Sequence, residues 1–368
     1  MLNDTTTPGA ILSATELATR KSVLAMYLNW GIDPSLDSEH DESQLLLSRN
    51  PQQWTPTRRN QTATPLSLHF SADSPFYQPV PTLWPRVLLP PGYIKDVQLD
   101  TNQKGDGIGF GQAIAQPGDT QHTIRSQWYS NTATLRTFTF RMPAQWAQSL
   151  PWQPTGDHHM TFVDPAADSY VSSYMTSRSP GTGGPDALYA TSPTSLGTLG
   201  DHGGSIAAHF AELPVMLQPN DATDPTQPIR HALGGPVART WAARVYPANS
   251  WDANVRASTN TCTGKGFTNT GLVPYGGVIQ LDPQLDLAQL KLTLPARRIL
   301  EAIQTYGYYV EDFGCTDLDI YTAISETELE PFGGLWGYNR RGIGVQNEVR
   351  NVLANHKLYV VAPFIKKQ

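Results

Sequence analysis

The stretch Thr134-Leu-Arg-Thr-Phe-Thr-Phe-Arg141 shows the pattern that decides the fold. Its two phenylalanines alternate with threonine and arginine, and successive side chains on a strand point to opposite faces of a sheet. This segment therefore has one apolar and one polar face, as a half-buried strand does. From Trp54 onward the chain repeats this apolar–polar alternation in short runs separated by Pro, Gly and Asn, a pattern that favours many short strands over helices.

The predicted strands cover most of the chain after residue 65. They lie at residues 66–70, 87–89, 93–99, 122–128, 134–141, 160–163, 170–176, 240–246, 278–281, 308–312, 319–325 and 357–362. Many strands with few intervening helices predict an all-β fold, specifically a jelly-roll-like β-sandwich with long loops and two peripheral helices. The longest predicted loop is the Ser-, Gly-, Thr- and Pro-rich segment 177–204.

Two helices stand out from this pattern. Ser13 and Glu16 have the spacing of a capping box, in which each side chain satisfies a free amide at a helix start, and leucines follow at helical spacing. This predicts a helix over about residues 14–29. A second helix is predicted to begin near Pro295 and to end at Gly307, which suits the left-handed conformation of a helix C-terminus.

The composition agrees with a loop-rich chain. The sequence has 368 residues, of which 30 are Gly and 30 are Pro, and this share exceeds the roughly one in eight of average usage. The length fits one large β domain with additions. We therefore predict a helical extension at residues 1–50 and a β-sandwich domain at residues 51–368.

Charge and hydropathy exclude several classes of partner. The net charge is −6 and no basic cluster exceeds a pair of residues, so nucleic acid is not a predicted partner. No apolar run approaches the roughly 18 residues that cross a bilayer, so no membrane span is predicted. The two cysteines, Cys262 and Cys315, are too few for a cysteine-based zinc module and leave one disulfide or two free thiols open.

The setting is predicted from composition alone. Few lysines, with abundant Thr, Gln, Asn, Pro and aromatic residues, favour an extracellular or surface-associated protein, although residues 1–10 do not have the pattern of a signal peptide. The sequence identifies no cofactor and no metal ligand, because its histidines match no standard metal signature, and it leaves metal use open. It also leaves oligomer formation open.

A series of segments, most of them in the second half of the chain, forms a recognisable pattern. The segments are Tyr275-Gly-Gly-Val-Ile-Gln-Leu-Asp-Pro283, Leu285-Asp-Leu287, Pro295-Ala-Arg-Arg-Ile-Leu-Glu-Ala-Ile-Gln-Thr-Tyr-Gly307, Tyr309-Val-Glu-Asp312, Asp157-His158, Thr161-Phe-Val-Asp164, Pro228-Ile-Arg-His-Ala-Leu233 and Val245-Tyr-Pro-Ala248. This pattern resembles that of a broad group of secreted bacterial β-sandwich proteins. The resemblance implies a sandwich fold and an extracellular setting. It carries over no chemistry, and residues 1–50 have no counterpart in it.

Two histidines are candidate proton carriers, because imidazole titrates near neutral pH. His158 precedes the predicted strand 160–163, which Asp164 follows, and this arrangement would allow a divalent metal site, an acid–base pair, or a structural or surface role. His231 follows a polar loop, and its neighbour Arg230 is a candidate for binding an acidic sugar. Alternatively, His231 hydrogen bonds a loop carbonyl at the mouth of a strand.

An aromatic and acidic cluster follows the second helix. On a strand Tyr308 and Tyr309 point to opposite faces, so one of the two is predicted to lie in the core and the other to be exposed. Tyr309 and Asp312 are therefore candidates for proton transfer, with core packing as the alternative.

Exposed aromatic rings suggest a class of ligand. Trp241 and Trp336 lie near predicted loops or strand ends, where an indole ring can stack on the face of a sugar, and Arg340 is a candidate for binding a carboxylate. We therefore expect a carbohydrate-active protein that binds or cleaves a polysaccharide or another glycan, as a lyase or glycosidase if it is an enzyme. The alternative is a non-enzymatic structural or adhesion protein of a virion or cell surface.

Overall fold

The computed structural model describes residues 12–30, 70–100, 110–126, 136–143, 159–174, 176–178, 185–187, 189–218, 221–222, 224–251, 271–324 and 341–362. In this part of the chain the helices are α1 (Ala14–Trp30), α2 (Leu294–Thr305) and α3 (Arg341–Asn355). The strands are β1 (Arg86–Leu88), β2 (Val97–Asp100), β3 (Phe110–Ile114), β4 (Thr120–Ser126), β5 (Arg136–Met142), β6 (His159–Asp164), β7 (Ser169–Tyr174), β8 (Ser177–Arg178), β9 (Pro185–Ala187), β10 (Tyr189–Ala190), β11 (Leu233–Val237), β12 (Thr240–Arg244), β13 (Val273–Tyr275), β14 (Val278–Leu281), β15 (Tyr308–Phe313), β16 (Leu318–Tyr321), β17 (Ala323–Ile324) and β18 (Leu358–Val361). The fold is predominantly β, as the alternation predicts.

The described strands form three larger sheets and two two-stranded sheets. The strand orders are β1-β18-β14-β15-β11, β10-β7-β6-β3-β17 and β5-β4-β9-β8, and the pairs are β12-β13 and β16-β2. Among the described strands, parallel pairs such as β3 with β6 and β11 with β15 occur beside antiparallel ones. The predicted jelly roll is not confirmed, because jelly rolls are antiparallel structures.

The first of these sheets is covered on both faces. Tyr308 and Val310 of β15 pack in the larger apolar core, together with buried residues of α2 and α3. Tyr309 points to the opposite face and packs in a second core with Phe76 and Phe210. Both tyrosines are fully buried. The prediction that one of them is exposed is wrong, because packed layers cover both faces of this sheet.

The two predicted helices are confirmed. At the start of α1, Ser13 and Glu16 exchange the hydrogen bonds of a capping box. Buried α1 residues, Tyr27 among them, join the larger core, so the helix of the predicted extension packs onto the β structure. Gly307 follows α2 with a φ of +84°, and a Cβ there would lie 2.3 Å from Val278 Cγ1.

The structure adds a third helix, α3, which the sequence did not predict. It packs against α2 over the larger core and ends shortly before β18. Within the described residues, no helix is both long and apolar enough to cross a membrane. Cys315 is disulfide-bonded, and the sequence holds one other cysteine, Cys262, which lies outside the described residues.

Candidate functional site

A tight loop of residues 201–212, here called the histidine loop, brings several polar side chains together. It forms a small hairpin in which Gly203 pairs with Phe210 in an antiparallel bridge and the Gly204 N–H donates to the carbonyl of His209. A Cβ on Gly204 would lie 1.8 Å from the carbonyl oxygen of Phe210. Only glycine fits here, so the close approach of the two arms depends on it.

His209 at the tip of this hairpin has a backbone conformation that is unusual for a residue with a side chain. Its φ is +58°, in the left-handed region that non-glycine residues rarely adopt and that is often associated with functional sites. Its imidazole is largely buried, and burial, together with the charge of Arg244, lowers the pKa of His209. At neutral pH His209 is therefore mainly neutral.

Asp201 and His202 form the polar centre of the loop. Asp201 Oδ1 lies 3.0 Å from His202 Nδ1, and Asp201 Oδ2 accepts a hydrogen bond from the Tyr246 hydroxyl at 3.2 Å. The aspartate side chain is 5% exposed whereas the imidazole is 53% exposed. A buried carboxylate thus orients an imidazole that solvent can reach. Burial, followed by the nearby charge of Asp201, raises the pKa of Tyr246.

A second loop, residues 245–251, completes this surface. The Asn249 N–H donates to the carbonyl of Ala208 at 2.9 Å, and the Asn249 side-chain amide donates to the carbonyl of Asp201. Trp251, at the end of this loop, is half-buried and packs at the edge of the second core. The two loops therefore form one continuous surface next to an aromatic ring.

Glu212 anchors the far end of the histidine loop to β7. It is fully buried. Its carboxyl group accepts hydrogen bonds from the Tyr170 hydroxyl, from Ser172 Oγ at 2.8 Å and from the Ser205 N–H at 2.6 Å. Burial raises the pKa of Glu212 in spite of these donors. This network fixes the position of Ser205 relative to the neighbouring sheet.

A second buried carboxyl group, that of Glu311 on β15, lies close enough for the charge of Glu212 to affect it. Glu311 is fully buried, and neither of its carboxyl oxygens has a hydrogen-bond partner among the residues that the structure describes. It packs against Gly234, where a Cβ would lie 2.1 Å from Glu311 Oε1. Burial, with smaller contributions from Glu212 and Asp312, raises the pKa of Glu311 well above its ordinary value.

Of the histidines predicted to act in proton transfer, His231 is placed in the interior. Its side chain is 1% exposed. Nδ1 lies 2.7 Å from the carbonyl oxygen of Ala232, and Nε2 lies 3.3 Å from Asp221 Oδ2. The alternative role, a hydrogen bond to a loop carbonyl, is the one that the structure gives to His231. The other histidine, His158, lies outside the described residues.

The remaining predicted site residues do not converge with His231. The Tyr309 hydroxyl is buried and donates to the carbonyl of Pro75 at 3.5 Å, and burial raises the pKa of Tyr309. Asp312 is half-buried and accepts from the N–H of Phe313. Arg230 is exposed and donates to Gln227. In the described part of the chain no hydrogen bond links these residues to His231.

Of the residues that the sequence predicts to contact a sugar directly, the structure describes Trp241 but not Trp336 or Arg340. Trp241 is 6% exposed and packs in the larger core, with the guanidinium of Arg20 4.9 Å from its ring centroid. The available face of this ring is therefore covered by the protein itself.

His202 and His209, which flank the Gly203-Gly204 pair, are not among the residues that the sequence predicts to be functional. The signal that would have found the site is Asp201 directly before His202, followed by two glycines that permit a sharp turn. The hydrogen bonds of Asp201 to Tyr246 and Asn249 join segments about 45 residues apart, and no local pattern encodes them.

The described residues contain no group of three or more His, Cys, Asp or Glu side chains that could hold a metal ion. Comparison of the chain with protein families, curated proteins and solved structures gives no match. The functional assignment therefore depends on the geometry of the histidine loop.

Proposed function

We propose that this protein is an extracellular, carbohydrate-active β-sandwich protein that binds an acidic polysaccharide across the histidine loop and the 245–251 loop and cleaves it as a lyase. The observation that carries the proposal is the Asp201–His202 pair, in which a buried carboxylate orients an exposed imidazole. If His202 Nδ1–H donates to Asp201, Nε2 is the unprotonated nitrogen, which is the arrangement of a general base.

The surroundings of the pair favour elimination over hydrolysis. A glycosidase needs two carboxyl groups that face the scissile bond. Asp201 is instead buried, and both of its oxygens are engaged by His202 and Tyr246. A lyase needs one base to remove the proton next to a uronate carboxylate, together with a cation that stabilises the resulting negative charge. Arg244, at the end of β12, is the candidate cation, because its charge lowers the pKa of His209 on the histidine loop.

The remaining residues of the surface would bind the chain of sugars. Trp251, at the end of the 245–251 loop, has a half-buried ring, and such apolar faces stack on sugar rings. His209, kept neutral by its lowered pKa, can donate or accept a hydrogen bond without adding charge. These features support a binding groove along the two loops.

The test is cleavage of a panel of acidic polysaccharides (pectate, alginate, hyaluronan) and neutral ones (cellulose, xylan). The readouts are the ultraviolet absorbance of the unsaturated product and the number of new reducing ends. We expect cleavage of an acidic polymer, and we expect His202→Gln to lower kcat by about 10²–10⁴-fold. His356→Gln is the matched control, because His356 is an exposed histidine at the end of α3.

Equal activity of wild type and His202→Gln would contradict the role of His202. Polysaccharide binding without cleavage would contradict the lyase and leave a binding protein. If the wild-type protein binds none of the panel, the proposed function is wrong, and a structural or adhesion role on a virion or cell surface takes its place.

A further inference from the structure

Ser205, in the middle of the histidine loop, lies between the imidazole of His159 and the carboxyl group of Glu212. The proposed lyase uses neither of these two groups. Ser205 Oγ lies 3.2 Å from His159 Nδ1 and donates to Glu212 Oε1 at 3.2 Å. Ser172 Oγ, whose proton the Glu212 carboxyl group accepts, lies 2.7 Å from the same Ser205 oxygen. Ser205 itself is only half-buried, so its hydroxyl is placed at the margin of the core.

His159 is positioned to accept the proton of this hydroxyl. It begins β6 and is 7% exposed, and its ring packs on that of Tyr174 with centroids 5.1 Å apart. A serine within hydrogen-bond reach of an imidazole that other groups hold in place is the arrangement of an activated nucleophile.

The backbone after Ser205 supplies a second requirement of acyl transfer. Residues 206–209 form a turn in which the His209 N–H donates to the carbonyl of Ile206 at 3.0 Å. Within the described residues, the N–H groups of Ile206 and Ala207 have no hydrogen-bond partner. Two free amides directly after a nucleophile are donors of the kind that stabilise a developing oxyanion.

We propose that Ser205 is a nucleophile for acyl transfer, with His159 as its general base and the amides of Ile206 and Ala207 as oxyanion donors. Ser205 Oγ forms a bond to the carbonyl carbon of a small ester while its proton passes to His159. The carbon–oxygen bond of the ester breaks, and the leaving alcohol takes that proton. Water then hydrolyses the acyl-serine, giving the carboxylic acid and free Ser205. The substrate class is an ester of a short carboxylic acid with a hydroxyl group.

This activity does not depend on the proposed lyase, because it uses neither His202 nor Asp201. Ser205 and His159 instead join the histidine loop to β6, and Glu212 fixes the loop by accepting the Ser205 N–H. The lyase and the acyl transfer can therefore fail independently of each other.

The first experiment is mass spectrometry of the full-length wild-type protein after treatment with a fluorophosphonate. Such a reagent phosphonylates an activated serine, with loss of fluoride. We expect a single adduct, on Ser205. The matched control is Ser195→Ala: Ser195 donates to Asp168 Oδ2 at 2.5 Å and has no imidazole partner among the described residues, so this variant should be labelled as fast as the wild type.

The second experiment measures hydrolysis of p-nitrophenyl acetate. Ser205→Ala and His159→Gln should each lower kcat/KM by about 10²–10⁴-fold, and circular dichroism should show that both remain folded. His202→Gln should keep full labelling and ester hydrolysis even where it abolishes polysaccharide cleavage. No adduct on wild-type Ser205, equal labelling of Ser195, or labelling that is unchanged in His159→Gln would overturn the proposal.

Discussion

Two histidine–aspartate pairs in this protein have opposite arrangements. In the pair His231–Asp221 the imidazole is 1% exposed and the carboxylate is 18% exposed. In the pair His202–Asp201 the imidazole is 53% exposed and the carboxylate is 5% exposed. The ring–carboxylate distances are similar, 3.3 Å and 3.0 Å. The two pairs thus have the same residue types and similar contact distances, but solvent reaches the imidazole of His202 and not that of His231.

The role of such a pair depends on whether the imidazole or the carboxylate is the buried member. Where the imidazole is buried, both of its nitrogens are occupied, because His231 Nδ1 faces the carbonyl of Ala232 and Nε2 faces Asp221. Such a ring serves the fold. Where the carboxylate is buried instead, it holds the ring while one nitrogen stays available for a substrate. The pair His202–Asp201 therefore suits catalysis, and the pair His231–Asp221 suits stability.

The largest expected effect on stability is that of His231→Ala. The substitution removes a buried ring, leaves the Ala232 carbonyl without a donor and leaves the Asp221 carboxylate without a partner. We expect a loss of about 3 kcal/mol in the free energy of unfolding. His202→Ala, at an exposed position, should cost about 0.5 kcal/mol. Urea denaturation followed by tryptophan fluorescence measures both values.

The same two variants should exchange their order in the polysaccharide assay, where His202→Ala is inactive and His231→Ala keeps its activity at temperatures below its unfolding transition. Equal losses of stability in the two variants would contradict the assignment of one pair to the fold and the other to the site.

Glu311 sharpens the comparison, because its side chain is buried as that of His231 is, but its carboxyl group has no hydrogen-bond partner in the described part of the chain. Burial raises the pKa of Glu311 above its ordinary 4.5. A carboxyl group with a raised pKa in the folded state contributes its full stability below pH 4.5, and this contribution is lost as the pH rises through the raised pKa. Glu311→Gln is neutral at every pH and should remove this loss.

We expect Glu311→Gln to raise the free energy of unfolding by about 1–2 kcal/mol at about pH 8 and to change it little at about pH 4. The matched control is Glu212→Gln, which should be destabilising because the Glu212 carboxyl group accepts hydrogen bonds from Tyr170, from Ser172 and from both the N–H and the hydroxyl of Ser205. Denaturation curves across this pH range measure both. A wild-type stability that does not fall with rising pH, together with no gain in Glu311→Gln, would contradict a buried unpaired carboxyl group.

The sequence predicted the predominance of β-strands and the helices α1 and α2, because these features depend on local sequence signals. Alternation along residues 134–141 shows which side chains share a face, and Ser13 and Gly307 mark helix ends. Alternation does not show which strands become neighbours, so the parallel pairing of β11 with β15 was not predicted. The helix α3 was missed because the glycines Gly342 and Gly344 in its first turn weaken the helical pattern.

The site was predicted less well than the fold because burial cannot be derived from residue type. His231 and Tyr309 have suitable chemistry, but the covered sheet places both in the interior. The Asp201–His202 pair depends on Tyr246 and Asn249, which reach Asp201 only after folding. A histidine next to an aspartate in sequence does not show which of the two side chains is buried.

The carboxyl group of Asp164, unlike that of Glu311, has hydrogen-bond partners, and its substitution should have the smallest of the expected effects on stability. The carboxylate of Asp164 accepts from Arg141 Nε at 2.7 Å and from the Ala167 N–H at 3.0 Å. The hydrogen bond from Arg141 lowers the pKa of Asp164 below its ordinary 3.8. A carboxyl group with a lowered pKa contributes stability above its unfolded pKa and loses it as the pH falls through the folded one. The slope is therefore opposite to that of Glu311.

Asp164→Asn should destabilise the protein at neutral pH by less than His231→Ala does, because Arg141 is partly exposed and solvent screens the pair. The loss should shrink as the pH falls below 3.8, where the wild-type carboxylate itself becomes protonated. Thermal unfolding of wild type, Asp164→Asn and Glu311→Gln at acidic and neutral pH compares the two carboxyl groups directly. If hydrogen-bond partners determine whether a buried carboxyl group stabilises the fold, then at neutral pH Asp164→Asn lowers the unfolding temperature and Glu311→Gln raises it. Shifts in the same direction would show that burial, rather than the presence of a partner, controls both groups.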